Sequence, residues 1–131
     1  MHPSHRKGAV SEYLAAAHYS ALGWEIFWPP TGSSPSDFVM VRGEDTQRVQ
    51  VKTAGYWTKS GSKYIRVRLG GNKAYQSGDF DILVVVDATT DRIWAIPFDK
   101  LPKTSMLYLE KEGGASERDY GWDEYEVTNG P

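Results

Sequence analysis

The sequence predicts an α/β domain built around a mixed β-sheet. Apolar residues recur at helical spacing over residues 7–22. Shorter runs further along alternate apolar and polar residues, which is typical of half-buried strands. One run, residues 81–87, is almost wholly apolar, as expected of a central strand buried on both faces. We therefore expect one leading helix packed on a sheet whose centre is this apolar strand.

The remaining elements are predicted in order along the chain. Residues 1–6 are expected to be a disordered lead, and Gly23 ends the helix. Strands are expected at 24–28, 37–41, 48–53, 64–69, 81–87, 92–97 and 106–109. Pro29 and Pro30 stop the first of them. Residues 31–36 and 55–62 are expected as loops, and residues 72–76 and 99–101 as short helical turns.

Composition limits the class of protein. The 131 residues predict one domain over 1–131, and 40% hydrophobic and 13% aromatic content indicates a folded globule. No apolar run approaches 18 residues and no signal peptide is evident, so we expect neither a membrane span nor export. Zero cysteines exclude disulfides and thiolate zinc sites, and favour an intracellular protein. Two of the three histidines lie in the expected lead, so a histidine-rich metal site is not expected.

Charge is unevenly distributed although the net charge is only −2. Residues 47–78 contain seven basic and no acidic side chains, whereas residues 79–131 contain five basic and twelve acidic ones, a balance of 5 − 12 = −7. A basic block followed by an acidic block favours one phosphate-facing surface on an acidic body. The alternative is a solvated face that is basic without a partner.

A candidate site lies in the predicted hairpin of residues 37–41 and 48–53. Side chains alternate along a strand, so Gln50 and Lys52 project from the same face. Asp37 opens the neighbouring strand and is expected beside them. A carboxylate, an amide oxygen and an ammonium in one small volume can hold a hard divalent cation and activate a water. This pattern predicts a metal-dependent phosphodiesterase, and we interpret the chain as a nuclease.

Two helix residues are candidates for the same site. Glu12 lies at the edge of the apolar arc, from where it can reach the rim of the sheet. Lys7 lies near the helix start, where unpaired backbone N–H groups also favour anions. The alternative for both is an ordinary solvated helix position.

The motifs together resemble a known family. In order, they are Lys7-Gly8-x-x-x-Glu12, Ser36-Asp37 and Gln50-Val51-Lys52. This pattern resembles the PD-(D/E)XK nuclease superfamily, most closely the branch of group I intron homing endonucleases in which Gln replaces the acidic residue before x-Lys. It is also similar to archaeal Holliday-junction resolvases. Residues 79–86 and 90–97 look like the family's second hairpin, so the resemblance covers residues 7–101 and omits the acidic tail.

The resemblance implies a restriction-endonuclease-like core, a mixed sheet flanked by helices, and Mg²⁺-dependent cleavage of double-stranded DNA, with Mn²⁺ as an alternative metal. It implies that Glu12, Asp37, Gln50 and Lys52 are catalytic. Asp37, the Gln50 amide oxygen and the Val51 backbone carbonyl would hold the metal, with Glu12 acting through a water. Lys52 would orient the attacking water and offset charge on the phosphate. The alternatives are a turn-capping aspartate, a surface glutamine and a solvated lysine.

A further set of residues is expected to bind DNA. Its members are Lys7, Ser33, Ser34, Lys59, Lys63, Arg66, Arg68 and Lys73. Arg66 and Arg68 share one strand face, which suits contacts to phosphates or base edges but also suits a plain exposed strand. The aromatic pair Tyr56 and Trp57 is expected either to stack on bases or to pack on the core.

Three functions remain open at this point. The first is a homing or restriction-like endonuclease, the second a resolvase that cuts branched DNA, and the third an inactive DNA-binding module in which neutral Gln50 marks lost chemistry. The small chain and the family predict a homo-oligomer, either a dimer or a tetramer. A phage or mobile element is one expected source. The acidic tail, residues 110–131, would shield the basic groove, form a subunit contact or extend freely.

Overall fold

The strands form two β-sheets, and an α-helix packs against the larger of them. The computed structural model describes residues 3–32, 34–69, 75–76, 78–111 and 122–127, with side chains from residue 6 onward. In chain order the elements are α1 (Pro3–Ala21), β1 (Glu25–Phe27), β2 (Phe38–Arg42), β3 (Asp45–Thr53), β4 (Gly55–Lys59), β5 (Ser62–Arg68), β6 (Ile82–Asp87), β7 (Arg92–Pro97) and β8 (Met106–Lys111). Short 3₁₀ turns cover Phe98–Lys100 and Asp123–Tyr125.

The larger sheet is mixed, as predicted. Its strand order is β1-β2-β3-β6-β7, and only the β3–β6 pairing is parallel. In that pairing Val49 lies beside Ile82 and Thr53 beside Val86. A parallel pair needs a long crossover, and here the crossover contains β4 and β5. The strands predicted at 81–87 and 92–97 are confirmed as β6 and β7.

Two apolar cores lie on opposite faces of the larger sheet, and β6 contributes to both. Val84 and Val86 face a core completed by Ala15, Ala16 and Tyr19 of α1. Small alanine side chains let the helix approach the sheet closely. On the other face, a core is formed with the three-stranded sheet β4-β5-β8. Its buried members include Val67, Leu83, Val85, Trp94, Leu107 and Leu109. Within the described ranges, therefore, a single α-helix covers one face and a second sheet covers the other.

Two predictions about local structure were wrong. The helix begins at Pro3 instead of Lys7, so the lead expected to be disordered is helical from its third residue. Proline fits the first turn of a helix because its nitrogen needs no partner there. Residues 55–62 are not a loop, because β4 pairs with β5 through a hairpin. Its two central residues, Ser60 and Gly61, have φ of 52° and 80°, which suits the left-handed turn that matches strand twist.

The acidic tail contributes structure at two places. Glu110 and Lys111 belong to β8. Further on, Val127 N–H donates to the Ile93 carbonyl at 2.8 Å, and Glu126 bridges to Trp94, so residues 126–127 extend the edge of β7.

A second group of contacts anchors the same tail segment. Trp122 and Tyr125 pack against the core under the smaller sheet. Tyr120 and most of the helical turn predicted at 72–76 lie outside the described residues. None of the helices described is long and apolar enough to cross a membrane.

Candidate active site

The site is centred on Asp37, which directly precedes β2 and lies beside β3, the longer of the two strands. The Asp37 N–H donates to the Val49 carbonyl at 2.7 Å, and the Val51 N–H donates to Oδ2 of Asp37, also at 2.7 Å. The two backbone groups of a strand residue point to the same side. The Val51 carbonyl therefore faces the gap that Asp37 occupies. The Asp37 carboxylate thus accepts the Val51 N–H hydrogen bond that a backbone carbonyl would accept if the pairing of the two strands continued.

Strand register places three predicted residues on one face. Gln50 lies beside Leu83 and Lys52 beside Val85, whose side chains enter the core under the smaller sheet. Asp37 precedes Phe38, which faces the helix-side core, so alternation turns Asp37 to the face of Gln50 and Lys52. Burial raises the pKa of the Asp37 carboxyl, and the charge of Lys52 is close enough to oppose part of that effect.

Two carboxylates, Glu12 of α1 and Asp37 before β2, are close enough to interact electrostatically. Burial raises the pKa of Glu12, and the negative charge of Asp37 raises it further. Burial also raises the pKa of Asp37, although the Val51 N–H and the Lys52 ammonium partly oppose the effect. Because each carboxylate is partly withdrawn from water, a positive charge between them would be favourable.

Helix α1 is fixed beside the site by a hydrogen bond that the sequence reading missed. Ser11 is 1% exposed, and its Oγ lies 2.7 Å from Oγ1 of Thr53 at the end of β3. Since Glu12 is the next residue of the helix, this contact sets its position relative to β3. The available signal was a small polar residue inside the apolar arc of the helix.

The donor set fits a hard divalent cation with one adjustment. No three His, Cys, Asp or Glu side chains of the described residues are grouped to hold a metal by themselves. The candidate ligands instead combine carboxylates, an amide and a backbone carbonyl, which are the oxygen donors that Mg²⁺ accepts. Gln50 Nε2 donates to the Val51 carbonyl at 3.4 Å. Joint ligation by Gln50 and Val51 requires the Gln50 amide to turn so that Oε1 faces the ion.

Of the residues predicted to bind DNA in α1 and in the loop before Asp37, the structure describes Lys7 and Ser34. Lys7 is exposed on α1. The Ser34 hydroxyl lies 3.2 Å from the Ser36 hydroxyl and accepts the Ser36 N–H, so it shapes the loop before Asp37. Ser33 and Lys73 lie outside the described residues.

Among the described residues, the basic block is divided between the two sheets, with Arg48 and Lys52 in β3 and its other members in β4 and β5. Arg66 and Arg68 alternate with inward-facing Val67, so they lie on the outer face of the smaller sheet. The guanidinium of Arg66 and the ammonium of Lys59 lie over the Trp57 ring, at 4.6 and 5.6 Å from its centroid.

Two further members of the block lie elsewhere. Lys63 lies over the Tyr56 ring at 4.5 Å. Arg48 forms an ion pair with Asp81 at 3.1 Å. The block therefore supplies several separate basic positions.

Both residues of the aromatic pair, Tyr56 and Trp57 of β4, are engaged within the fold. Tyr56 donates its hydroxyl to the buried Asp87 at 2.5 Å, and Thr90 Oγ1 donates to the same carboxylate at 2.7 Å. Trp57 packs against Tyr64, with ring centroids 5.4 Å apart. Asp87 was not among the predicted site residues, although it is an acidic residue that ends an apolar strand.

The mixed sheet, with a carboxylate, an amide and a lysine at the start of its hairpin, defines the restriction-endonuclease-like class of nuclease folds. The chain belongs to the PD-(D/E)XK endonuclease family, whose model matches residues 2–120. The family resemblance is thereby confirmed. Protein 5.3 of Escherichia phage T7 is 33% identical over 117 residues, covering 87% of this chain and 98% of that protein.

The fold is also similar to a solved structure, that of the bacterial homing endonuclease I-Ssp6803I. The TM-score is 0.82, and the match covers 97% of this chain and 90% of that one. At 19% sequence identity this likeness establishes the fold.

Proposed function

We propose that the protein is an endodeoxyribonuclease that uses a divalent metal and the residues Glu12, Asp37, Gln50 and Lys52. The observation that carries this is the Asp37 carboxylate, which Val51 N–H holds at 2.7 Å while it interacts electrostatically with Glu12 and Lys52. Family membership implies a DNA substrate, and enzymes of this family generally use divalent metals.

The metal we assign is Mg²⁺, with Mn²⁺ as a substitute. Asp37, Gln50 Oε1 and the Val51 carbonyl would hold it, and Glu12 would reach it through a water. Since Val51 N–H binds Oδ2 of Asp37, we assign Oδ1 to the ion. When bound, the ion supplies Lewis-acid polarisation of the phosphoryl oxygen and lowers the pKa of the attacking water.

The chain's own residues orient the reacting groups. Lys52 positions the water and offsets negative charge that develops on the phosphate. Glu12 accepts a hydrogen bond from the water on the helix side. Val51 N–H keeps Asp37 from rotating, so the carboxylate need not be ordered during the reaction. Hydrolysis is direct, and no covalent protein intermediate forms.

The mode of cleavage that we favour is site-specific double-strand cutting, as in homing and restriction enzymes. One site cuts one strand, so cutting both strands of a symmetric target is most simply done by two copies related by a two-fold axis. We therefore propose a homo-oligomer, a dimer or a tetramer. Exposed Lys7 and the outward-facing Arg66 and Arg68 are proposed backbone contacts. Similarity to a phage protein favours a phage or mobile-element origin and action inside the cell.

A cleavage assay on defined DNA structures tests this function. Linear duplex, nicked duplex and four-way junctions are incubated with the protein and Mg²⁺, or with EDTA. We expect Mg²⁺-dependent double-strand cutting of linear DNA, with loss of cutting in Lys52→Ala. Cleavage of junctions alone would favour a resolvase. DNA binding without cleavage, with the same affinity in Lys52→Ala, would indicate an inactive DNA-binding module and would overturn the proposal.

A further inference from the structure

Two large aromatic side chains are left exposed where α1 meets the loop after β1. Tyr13 is 68% exposed and Trp28 is 45% exposed. Their rings meet edge to face, with centroids 6.0 Å apart and an interplanar angle of 68°. Each ring therefore keeps part of its surface open to solvent. Together the two rings leave aromatic surface open to a ligand.

The aromatic pair is joined to the candidate active site on both sides. Tyr13 follows Glu12 in α1. The Trp28 ring packs against fully buried Phe38, with centroids 5.3 Å apart, and Phe38 follows Asp37. Because Phe38 faces the helix-side core and Asp37 the opposite face, the rings lie at the helix-side margin of the site, next to Glu12.

We propose that Tyr13 and Trp28 form a stacking platform for an unstacked nucleobase of the DNA strand that is cut. The inference rests on the proposed nuclease function and adds a binding site for a base beside the site for the phosphate. Every nucleobase has a π-face, so such a platform binds without reading sequence. The cost of unstacking is smallest at a mismatch, bulge or strand end. The protein should therefore prefer DNA that is locally unpaired near the cut.

A positive charge lies on the same side of the helix. Arg6 is exposed and precedes Tyr13 by seven residues, which is two helical turns. That separation corresponds to about 10 Å along α1. Arg6 is thus placed to bind the backbone phosphate next to a base held on Tyr13.

The size of the patch argues for a base over a protein partner. A stable interface between proteins buries roughly 800 Å² on each side. Two partly exposed rings, each with at most roughly 250 Å² to bury, offer much less. A base needs only one or two ring faces.

The test is DNA binding in an Asp37→Asn background, which should prevent cutting during the measurement. The probes are a fluorescein-labelled duplex with one unpaired adenine and the same duplex fully paired. We expect Tyr13→Ala and Trp28→Ala each to weaken binding of the bulged duplex by about 5- to 150-fold. The paired duplex should change much less. Tyr13→Phe and Trp28→Phe keep a ring and should retain binding.

Phe27→Ala is the matched control, because Phe27 is a neighbouring aromatic residue that is 52% exposed and lies in β1. It should leave both affinities unchanged. Unchanged binding in Tyr13→Ala and Trp28→Ala would overturn the inference, as would an equal loss in Phe27→Ala. A fall in sedimentation molar mass in the two alanine variants, without altered bulge preference, would assign the patch to a contact between copies. Failure of the wild-type protein to cut DNA would instead count against the proposed function, because the binding assay is independent of cutting.

Discussion

The Val51 N–H donates to Oδ2 of Asp37 at 2.7 Å, so a side chain completes the backbone pairing of β3 at the candidate site. The same carboxylate is partly buried and has a raised pKa. Asp37 therefore has a structural role that is visible and a proposed chemical role that is separate from it. Variants that keep one role and remove the other distinguish the two.

The structural role predicts a difference between two substitutions at Asp37. Asp37→Ala leaves the Val51 N–H without its partner, which should cost about 1–3 kcal/mol of unfolding free energy. Asp37→Asn retains an acceptor oxygen and removes a poorly solvated charge, so it should cost less. Urea denaturation without metal measures both. Equal losses in the two variants would show that the hydrogen bond contributes little.

The proposed role of Lys52 predicts a loss of rate with little loss of fold. Lys52→Met keeps the apolar stem of the side chain and removes the ammonium, which should lower the cleavage rate by about 10²- to 10⁴-fold. DNA affinity should change by a small factor. Lys100→Met, in the 3₁₀ turn after β7, is the matched control. A wild-type rate in Lys52→Met would remove this residue from the mechanism.

Much of this fold was predictable because its signals are local. The apolar run at 81–87 and the alternation at 92–97 are properties of consecutive residues, and both strands form as expected. The hairpin β4–β5 was missed because Gly55, Ser60 and Gly61 resemble loop residues. In fact, Ser60 and Gly61 supply the positive φ that a tight turn requires.

The site was predictable only in part, for a related reason. Alternation along one strand predicts that Gln50 and Lys52 share a face, and the predicted hairpin brings Asp37 beside them. The Ser11–Thr53 and Tyr56–Asp87 bonds join residues 42 and 31 positions apart in sequence. No periodicity encodes such pairs. The division of the described part of the basic block between the two sheets likewise depends on long-range pairing.

The raised pKa values of Glu12 and Asp37 predict that a bound metal ion stabilises the folded protein more strongly as pH rises. Without metal, folded Glu12 and Asp37 retain protons above their ordinary values of 4.5 and 3.8. The stability they contribute is full below those values and is lost as pH rises through their folded pKa values. A bound cation needs both groups ionised, so it competes with protons at low pH. The increase in Tm on adding Mg²⁺ should be larger at pH 8 than at pH 5.

Asp37→Asn provides the control for this pH dependence. It removes one titrating ligand, so both the Mg²⁺-induced increase in Tm and its variation with pH should shrink. An increase that is equal at both pH values in the wild-type protein would contradict metal binding by these carboxylates.

The buried hydrogen bond between Ser11 and Thr53 predicts a non-additive pair of substitutions. Ser11→Ala or Thr53→Val alone leaves a hydroxyl without its partner, and each should cost about 1–3 kcal/mol of unfolding free energy. The double variant removes both polar groups and should cost less than the sum of the two. Chemical denaturation of the four proteins of this cycle measures the coupling. Simple additivity would mean that the contact does not fix α1 against β3.

The tail segment predicts a stability effect far from the site. Glu126 is nearly buried, and its carboxylate accepts two hydrogen bonds from Arg92, at 2.7 and 2.9 Å. Glu126→Ala should lower the unfolding free energy by roughly 1–3 kcal/mol, since Glu110 still pairs with Arg92. The exposed neighbour Glu124 is the control, and Glu124→Ala should be nearly neutral. Equal stability of the two variants would show that residues 122–127 do not anchor β7.

Single-turnover cleavage of linear DNA in saturating Mg²⁺, comparing Asp37→Asn with Asp45→Asn, tests the central claim most directly. Asp45 is an exposed carboxylate at the start of β3, away from the Val51 end that Asp37 contacts, so each variant removes one negative charge from the hairpin. Asp37→Asn should lower the rate at least about 100-fold, and Asp45→Asn should cut at the wild-type rate. A folded Asp37→Asn protein that cuts as fast as Asp45→Asn would contradict the assignment of Asp37 to the reaction.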